Sequence, residues 1–326
     1  MILTLFFIFS ISIVSADNFN STDITNDNNT ESVHESFQKQ LINNYSHSQD
    51  KKSVSKDFDF FGLFDFGHEK KYGYWVWAED MNNVDFDKLS KNGVNIIFLN
   101  SFAFTEYGQR DVLDWIHEAQ EHDIEVHVWM QIFNTGSGIS PLKNGTPDTR
   151  YFNYKIEEAR YYAGLDEVSG IQLDYIRFEG NAYRYNNSTE AINMFVKNFS
   201  DEMREINPDL TLSATVMPET NEDEYFYGQD MKTMTKYLDV IVPMMYKGNY
   251  NENSSWIENT TKWFVDNSGD AEVWCGLQTY DSDYNITSLS ADELMKDEKL
   301  CFNGGADGVL FFKWGMNKDL ENRKIN

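Results

Sequence analysis

Histidine stops at position 127, cysteine occurs only twice, and 27 basic side chains face 53 acidic ones across 326 residues. Each shortage excludes a class of function. Without histidine in the second half of the chain, neither a Ser-His-Asp triad nor a histidine-bound catalytic metal is supported. His127 itself sits inside an apolar β-rich run and reads as a core residue. Two cysteines, Cys275 and Cys301, cannot staple a mini-fold or form a four-cysteine zinc site. In an oxidising compartment they either pair or remain as buried thiols. A formal charge of −26 argues against nucleic acid as the partner, because such a binder must supply positive charge to displace phosphate counterions. A large ligand is expected to be neutral or cationic. Asp281-x-Asp283-x-Asn285 opens like a calcium loop but has Ile286 where the turn needs glycine, so it reads as a polar loop. No metal and no cofactor is expected.

Long apolar runs are also scarce. The first, Met1 to Val14, is followed by Val14-Ser15-Ala16, which fits the small-residue rule for signal-peptide cleavage. It is too short for a comfortable membrane span. Residues 1–16 are therefore expected to be a signal peptide, and the chain to be secreted or held at the cell surface without a stable membrane span. Residues 17–56 are rich in Asn, Ser, Asp and Thr and read as a disordered linker, because such a composition cannot bury enough surface to offset chain entropy. Residues 57–326 are the expected folded domain. Asn-x-Ser/Thr sites recur at Asn20, Asn144, Asn186, Asn198, Asn253, Asn259 and Asn285, as glycan acceptors or as a by-product of abundant asparagine.

From Lys70 onward short β-rich runs alternate with amphipathic stretches, the pattern of βα units around a parallel sheet. The eight runs are Tyr74–Trp77, Val94–Leu99, Ile124–Gln131, Gly170–Asp174, Thr211–Val216, Val240–Met245, Glu272–Leu277 and Gly308–Phe312. Helices are expected at Arg110–Glu121, Asn153–Ala163, Thr189–Ile206 and Ser254–Val265, with Asn207-Pro208 closing the third. A (β/α)8 TIM barrel with a disordered N-terminal linker follows. A doubly wound sheet would carry a glycine-rich turn after its first strand, where this chain has Trp77-Ala78-Glu79-Asp80. Too little chain follows the eighth run for a full closing helix, and Phe58 to Phe66 is apolar enough to cover the gap.

Functional groups in such a barrel sit at the C-terminal ends of the strands. Those ends supply Trp77, Asn100, Gln131, Asp174, Arg177, Glu219, Tyr246, Gln278 and Trp314. Carboxylates, amides and flat aromatic faces suit the cleavage of a glycosidic bond, in which one carboxyl protonates the leaving oxygen and another attacks, activates water or stabilises positive charge. Strand alternation places Gln172 and Asp174 on the interior side, with Asp174 nearest the mouth. Arg177 is the expected partner that holds Asp174 ionised and its pKa low. The alternative is a buried ion pair that merely fastens the loop.

Gly170-Ile171-Gln172-Leu173-Asp174-Tyr175-Ile176-Arg177-Phe178 resembles the fourth strand of a glycoside hydrolase-like family of (β/α)8 barrels, distantly alpha-amylase-like. Tyr227-Gly228-Gln229-Asp230, Asp239-Val240-Ile241-Val242-Pro243-Met244-Met245-Tyr246 and Gly308 to Trp314 resemble its later segments. The resemblance spans residues 72–317. It implies Asp174 as nucleophile and Glu219 as proton donor; Trp77, Asn100, Gln131, Arg177, Tyr246, Gln278 and Trp314 are expected to bind substrate from their strand-end positions and chemistry. Thr215 stands where the family commonly has Asp, and Gln172 where the amylase pattern has Arg. Glu79 and Glu179 are the other candidate acids. The expected function is cleavage of an extracellular or cell-wall polysaccharide or oligosaccharide; the alternative is a non-catalytic carbohydrate-binding surface protein on the same barrel.

Overall fold

The computed structural model describes residues 69–133 and 139–323. The expected signal segment 1–16, the linker 17–56 and the Phe58–Phe66 cover lie outside the described residues.

Eight parallel strands close into a barrel: β1 (Lys71–Val76), β2 (Ile96–Asn100), β3 (Glu125–Gln131), β4 (Gly170–Asp174), β5 (Thr211–Val216), β6 (Val240–Pro243), β7 (Glu272–Gln278) and β8 (Gly308–Phe312). Each strand pairs with the next, and Lys71 to Tyr74 pair with Gly308 to Phe311 to close the ring. A helix follows every strand: α1 (Phe86–Lys91), α2 (Gln109–Glu121), α3 (Thr149–Ala163), α4 (Ser188–Ile206), α5 (Met231–Met234), α6 (Ser254–Asn267), α7 (Ala291–Asn303) and α8 (Lys318–Glu321). The (β/α)8 barrel expected from the sequence is therefore observed. The closing helix α8 is a single turn, and Leu320 seats it in the core.

Local sequence explains the elements. In α2 the buried residues Val112, Trp115, Ile116 and Ala119 recur at helical spacing, so one face meets the sheet. Asp148 accepts from Tyr151 N–H at the start of α3, and Ser290 from Glu293 N–H at the start of α7, satisfying donors that a helix leaves open. Strand β6 stops at Pro243, two residues short of expectation, and Met244 adds only an isolated bridge to Gly276.

Aromatic side chains fill the barrel. Trp75, Phe98, Trp129, Trp274 and Phe312 form one cluster with Ile96, Val240, Val242 and Leu310. His127 is fully buried and stacks on Phe98 with ring centroids 5.4 Å apart. Burial pushes its pKa down to about 3, so the imidazole is neutral and its 3.9 Å approach to Glu125 is not an ion pair. His127 is a core residue, as the sequence indicated. Room for it comes from Gly170, where a Cβ would lie 2.6 Å from the imidazole ring. Gly170→Ala is accordingly expected to cost about 1–3 kcal/mol through overpacking. A thermal melt checks this, and an unchanged midpoint would show that the ring can move aside. Cys275 and Cys301 are both buried free thiols, and Thr261 Oγ1 lies 3.2 Å from Cys275 Sγ.

Candidate active site

Along β4 the alternation turns Gly170, Gln172 and Asp174 to the interior, and Asp174 is the last of them before the mouth. Only 8% of Asp174 is exposed. Trp129 Nε1, two strand positions up β3 from His127, donates to its Oδ2 at 3.0 Å. Thr215 Oγ1 on β5 donates to Oδ1 at 2.6 Å, and the Tyr175 backbone N–H donates to the same oxygen at 2.8 Å. Burial nonetheless raises the pKa of Asp174, against the opposing pull of these three donors and, more weakly, of Arg177. The sequence expectation that Asp174 is held at a low pKa is thus corrected: burial outweighs the charge of Arg177, which does pull the other way. The chain turns directly after the strand, with Tyr175 at φ 54°, and carries the guanidinium to Glu179 Oε2 at 3.4 Å. Arg177 also lies over the rings of Tyr175 and Tyr227, at 4.8 and 5.9 Å.

Glu219 follows β5. Its Oε1 accepts from Tyr227 Oη at 2.6 Å and Tyr250 Oη at 3.1 Å. Its Oε2 is buried and accepts no hydrogen bond among the described residues. Burial raises the pKa of Glu219, while the two phenols and Arg177 oppose the shift. A raised pKa together with an oxygen that accepts no hydrogen bond makes Glu219 a candidate proton donor. Thr220, next in the chain, has φ 60°, so both Asp174 and Glu219 are followed by non-glycine residues in the left-handed region. Such strain costs about 1–3 kcal/mol per residue and tends to persist at functional sites. Glu79 and Glu179, the other candidate acids, are exposed.

The remaining strand-end residues divide. Trp77 is half-buried and meets Trp129 edge-on, centroids 4.6 Å apart, while Lys313 Nζ stands 5.8 Å from its ring and 3.6 Å from Asp80. Tyr246 stacks on Phe312 at 5.9 Å and is held up in pKa mainly by burial, with a smaller contribution from the charge of Asp174. Its neighbour Lys247 is anchored by Glu293 at 2.7 Å and Asp297 at 2.5 Å. Gln131 pairs in register with Asp174. Asn100 is buried and uses its Oδ1 on Phe102 N–H, leaving a buried Nδ2 without an acceptor among the described residues. Gln278 donates to Asp283 at 2.9 Å, and Asp283 is also tied to Asn249 and Tyr280. Trp314 does not join them. It packs edge-on against Tyr74, which neighbours the interior Trp75 and so faces the helix layer.

Several residues that shape the site were given no role in it from the sequence, Thr215 being noted only as a departure from the family pattern. Trp129, Thr215, Tyr227 and Tyr250 hold the two carboxyls. Gln229 clamps the ends of β4 and β5, accepting from Met217 N–H at 2.9 Å and donating to the carbonyls of Ile176 and Thr215, each at 3.3 Å. Asp223 is 1% exposed and accepts from Glu219 N–H at 3.0 Å. The only signals were an Asp four residues past Glu219 and a Gln inside the Tyr227-Gly228-Gln229-Asp230 motif.

Burial, and then the charge of Glu219, push Asp223 up to about 9 from an ordinary 3.8. The folded state therefore keeps this proton while the unfolded chain releases it, so stability falls as pH rises from about 4 to about 9. Asp223→Asn retains the acceptor and cannot ionise. Its melting temperature relative to wild type is expected to be higher at about pH 8 than at about pH 5; an offset equal at both would show that Asp223 is not held protonated.

Among the described residues no group of three or more His, Cys, Asp or Glu could hold a metal ion, and no helix is long and apolar enough to cross a membrane. Residues 106–266 match the family model described as "Putative glycosyl hydrolase domain". The chain is 21% identical over 275 residues to beta-galactosidase GalA of Bacillus licheniformis, covering 77% of this chain but only 37% of that protein. The class V chitinase of Pseudomonas fluorescens superposes with a TM-score of 0.59 at 15% identity, covering 78% of this chain and 99% of the other. The glycoside hydrolase domain of PgaB from Bordetella bronchiseptica gives 0.57 at 12% identity, covering 76% and 94%. Residues 106–266 thus resemble a glycosyl hydrolase domain by the family model they match, and the whole described domain shares the (β/α)8 fold of these solved structures.

Proposed function

We propose that the protein is an exported glycoside hydrolase that cleaves glycosidic bonds in an extracellular or cell-wall polysaccharide through Asp174 and Glu219. The observation that carries this reading is the contrast between the two carboxyls at one barrel mouth. Asp174 is fixed by three donors spread over both of its oxygens, whereas Glu219 receives two phenols on one oxygen and none on the other; burial raises the pKa of both. Two carboxyls with different environments can divide the labour of attack and protonation. The half-buried Trp77 offers an apolar face for sugar C–H bonds and the half-buried Gln131 an amide for hydroxyls, while the buried Tyr246, Asn100 and Gln278 line the floor beneath them.

In this mechanism Asp174 attacks the anomeric carbon, activates water or stabilises its positive charge, while Glu219 delivers a proton to the departing oxygen. Arg177 lies near enough to lower the pKa of both carboxyls, which moderates the effect of burial. The strong negative charge of the chain disfavours polyanionic glycans.

Incubation of the full chain with neutral and amino-sugar polysaccharides, followed by mass analysis of soluble products, tests the reading. Released oligosaccharides are expected from at least one of them. No product from any, with glycan binding intact, would favour the non-catalytic carbohydrate-binding protein.

A further inference from the structure

Six large apolar side chains are exposed among the described residues: Phe102, Tyr183, Tyr185, Tyr225, Tyr284 and Ile286. All six lie on segments that follow the C-terminal end of a barrel strand: Phe102 after β2, Tyr183 and Tyr185 after β4, Tyr225 after β5, and Tyr284 and Ile286 after β7. None lies on the eight outer helices. Exposed apolar surface confined to the face that holds Asp174 and Glu219 points to a ligand on that face rather than to chance exposure.

Two of the six pack against each other, and a third lies two residues along the chain from one of them. Tyr183, 47% exposed, and Tyr225, 57% exposed, stack face to face with centroids 4.9 Å apart and planes 7° from parallel. Phe226 abuts both rings edge-on, at 6.3 and 4.9 Å. Tyr185 stacks on the buried Phe178 at 5.5 Å. Arg184 Nε donates to Tyr183 Oη at 3.3 Å. The rings are therefore held in place while their outer surfaces face solvent. The pair also bridges two site-forming segments. Tyr183 belongs to the loop that carries Arg177 and Glu179, and Tyr225 to the helical turn Asp223–Tyr227, whose last residue donates to Glu219.

We infer that Tyr183 and Tyr225, with Tyr185 beside them, form a platform on which a polysaccharide chain without anionic groups lies as it enters the Asp174–Glu219 site. The inference rests on the proposed function and deepens it by naming the substrate as a polymer bound beyond the cleaved bond. A rigid aromatic pair supplies a large apolar face with polar edges at little cost in side-chain entropy, which matches the alternating C–H faces and hydroxyl rims of sugar rings. Glu222, Glu224 and Glu190, on neighbouring segments, would repel a polyanion.

Affinity electrophoresis of the full chain carrying Asp174→Asn, through gels containing mannan, β-glucan, glycol chitin or polygalacturonate, reads binding without turnover. Retardation is expected in at least one of the first three and not in polygalacturonate. Adding Tyr183→Ala with Tyr225→Ala should weaken retardation about tenfold, whereas Tyr183→Phe with Tyr225→Phe should keep it, because the ring faces remain. A catalytically intact Tyr183→Ala/Tyr225→Ala protein should show a KM about tenfold higher on the polymer and unchanged kinetics on an aryl glycoside. Retardation equal in the alanine pair, absent from all neutral gels, or replaced by a concentration-dependent dimer that the pair abolishes, would overturn the platform. If wild type hydrolyses nothing while retardation still depends on the two tyrosines, the platform stands and the hydrolase reading falls.

Discussion

Replacing Asp174 by Asn is expected to lower kcat by at least about 10³-fold on any glycan the protein cleaves, with little change in glycan affinity. The magnitude follows from losing a group that interacts with the reacting carbon mainly in the transition state, which lowers turnover rather than binding. The fold should survive. An amide can still accept from two of the three donors now on the carboxyl, Trp129 Nε1, Thr215 Oγ1 and Tyr175 N–H, so about one hydrogen bond is lost, worth about 1 kcal/mol. Against that, burial already disfavours the Asp174 anion, and a neutral side chain removes this penalty at neutral pH. Kinetics and calorimetric binding on the same preparation measure both quantities. A parallel loss of binding and turnover would instead make Asp174 a structural ion that shapes the cleft.

Replacing Glu219 by Gln should show a different signature. Loss of a general acid costs about 10²–10⁴-fold, but only where the leaving oxygen needs a proton. The variant should be severely slowed on natural polysaccharide and nearly normal on aryl glycosides with an acidic phenol, in the step that expels the phenol. The pH dependence follows from the raised pKa of Glu219. The protonated form is the active donor, so wild-type kcat/KM should fall on the alkaline side as Glu219 ionises. In Glu219→Gln that alkaline limb should disappear. An unchanged alkaline limb in the variant would assign the acid to another group.

The barrel was legible because its signals are local. Apolar runs such as Thr211–Val216 and Gly308–Phe312, separated by helical stretches, fixed the strand count and hence closure. Asp174 was legible for the same reason, since alternation along β4 needs only five residues. The support around it was not. Tyr250 meets Glu219 from 31 positions away and Trp129 meets Asp174 from 45, and no spacing rule relates them. The pKa of Asp174 misled because a cation three residues on suggests a dominant charge partner, whereas burial outweighs its pull and Arg177 is shared with Glu179. Trp314 misled because the alternating pattern ends with β8. Beyond Phe312 the Trp314 N–H bonds to the Trp75 carbonyl, and the ring packs on Tyr74 outside the barrel. Thr215, a departure from the family pattern, proves to be a direct hydrogen-bond donor to Asp174.

The assignment of glycoside hydrolysis to Asp174 and Glu219 is tested most directly by reducing-end release from neutral and amino-sugar polysaccharides, with wild type, Asp174→Asn and Glu219→Gln assayed side by side. Release by wild type, with at least about a thousandfold less by Asp174→Asn and a hundredfold less by Glu219→Gln, is the expected result. Equal release by wild type and Asp174→Asn would contradict it, and would remove Asp174 from the chemistry.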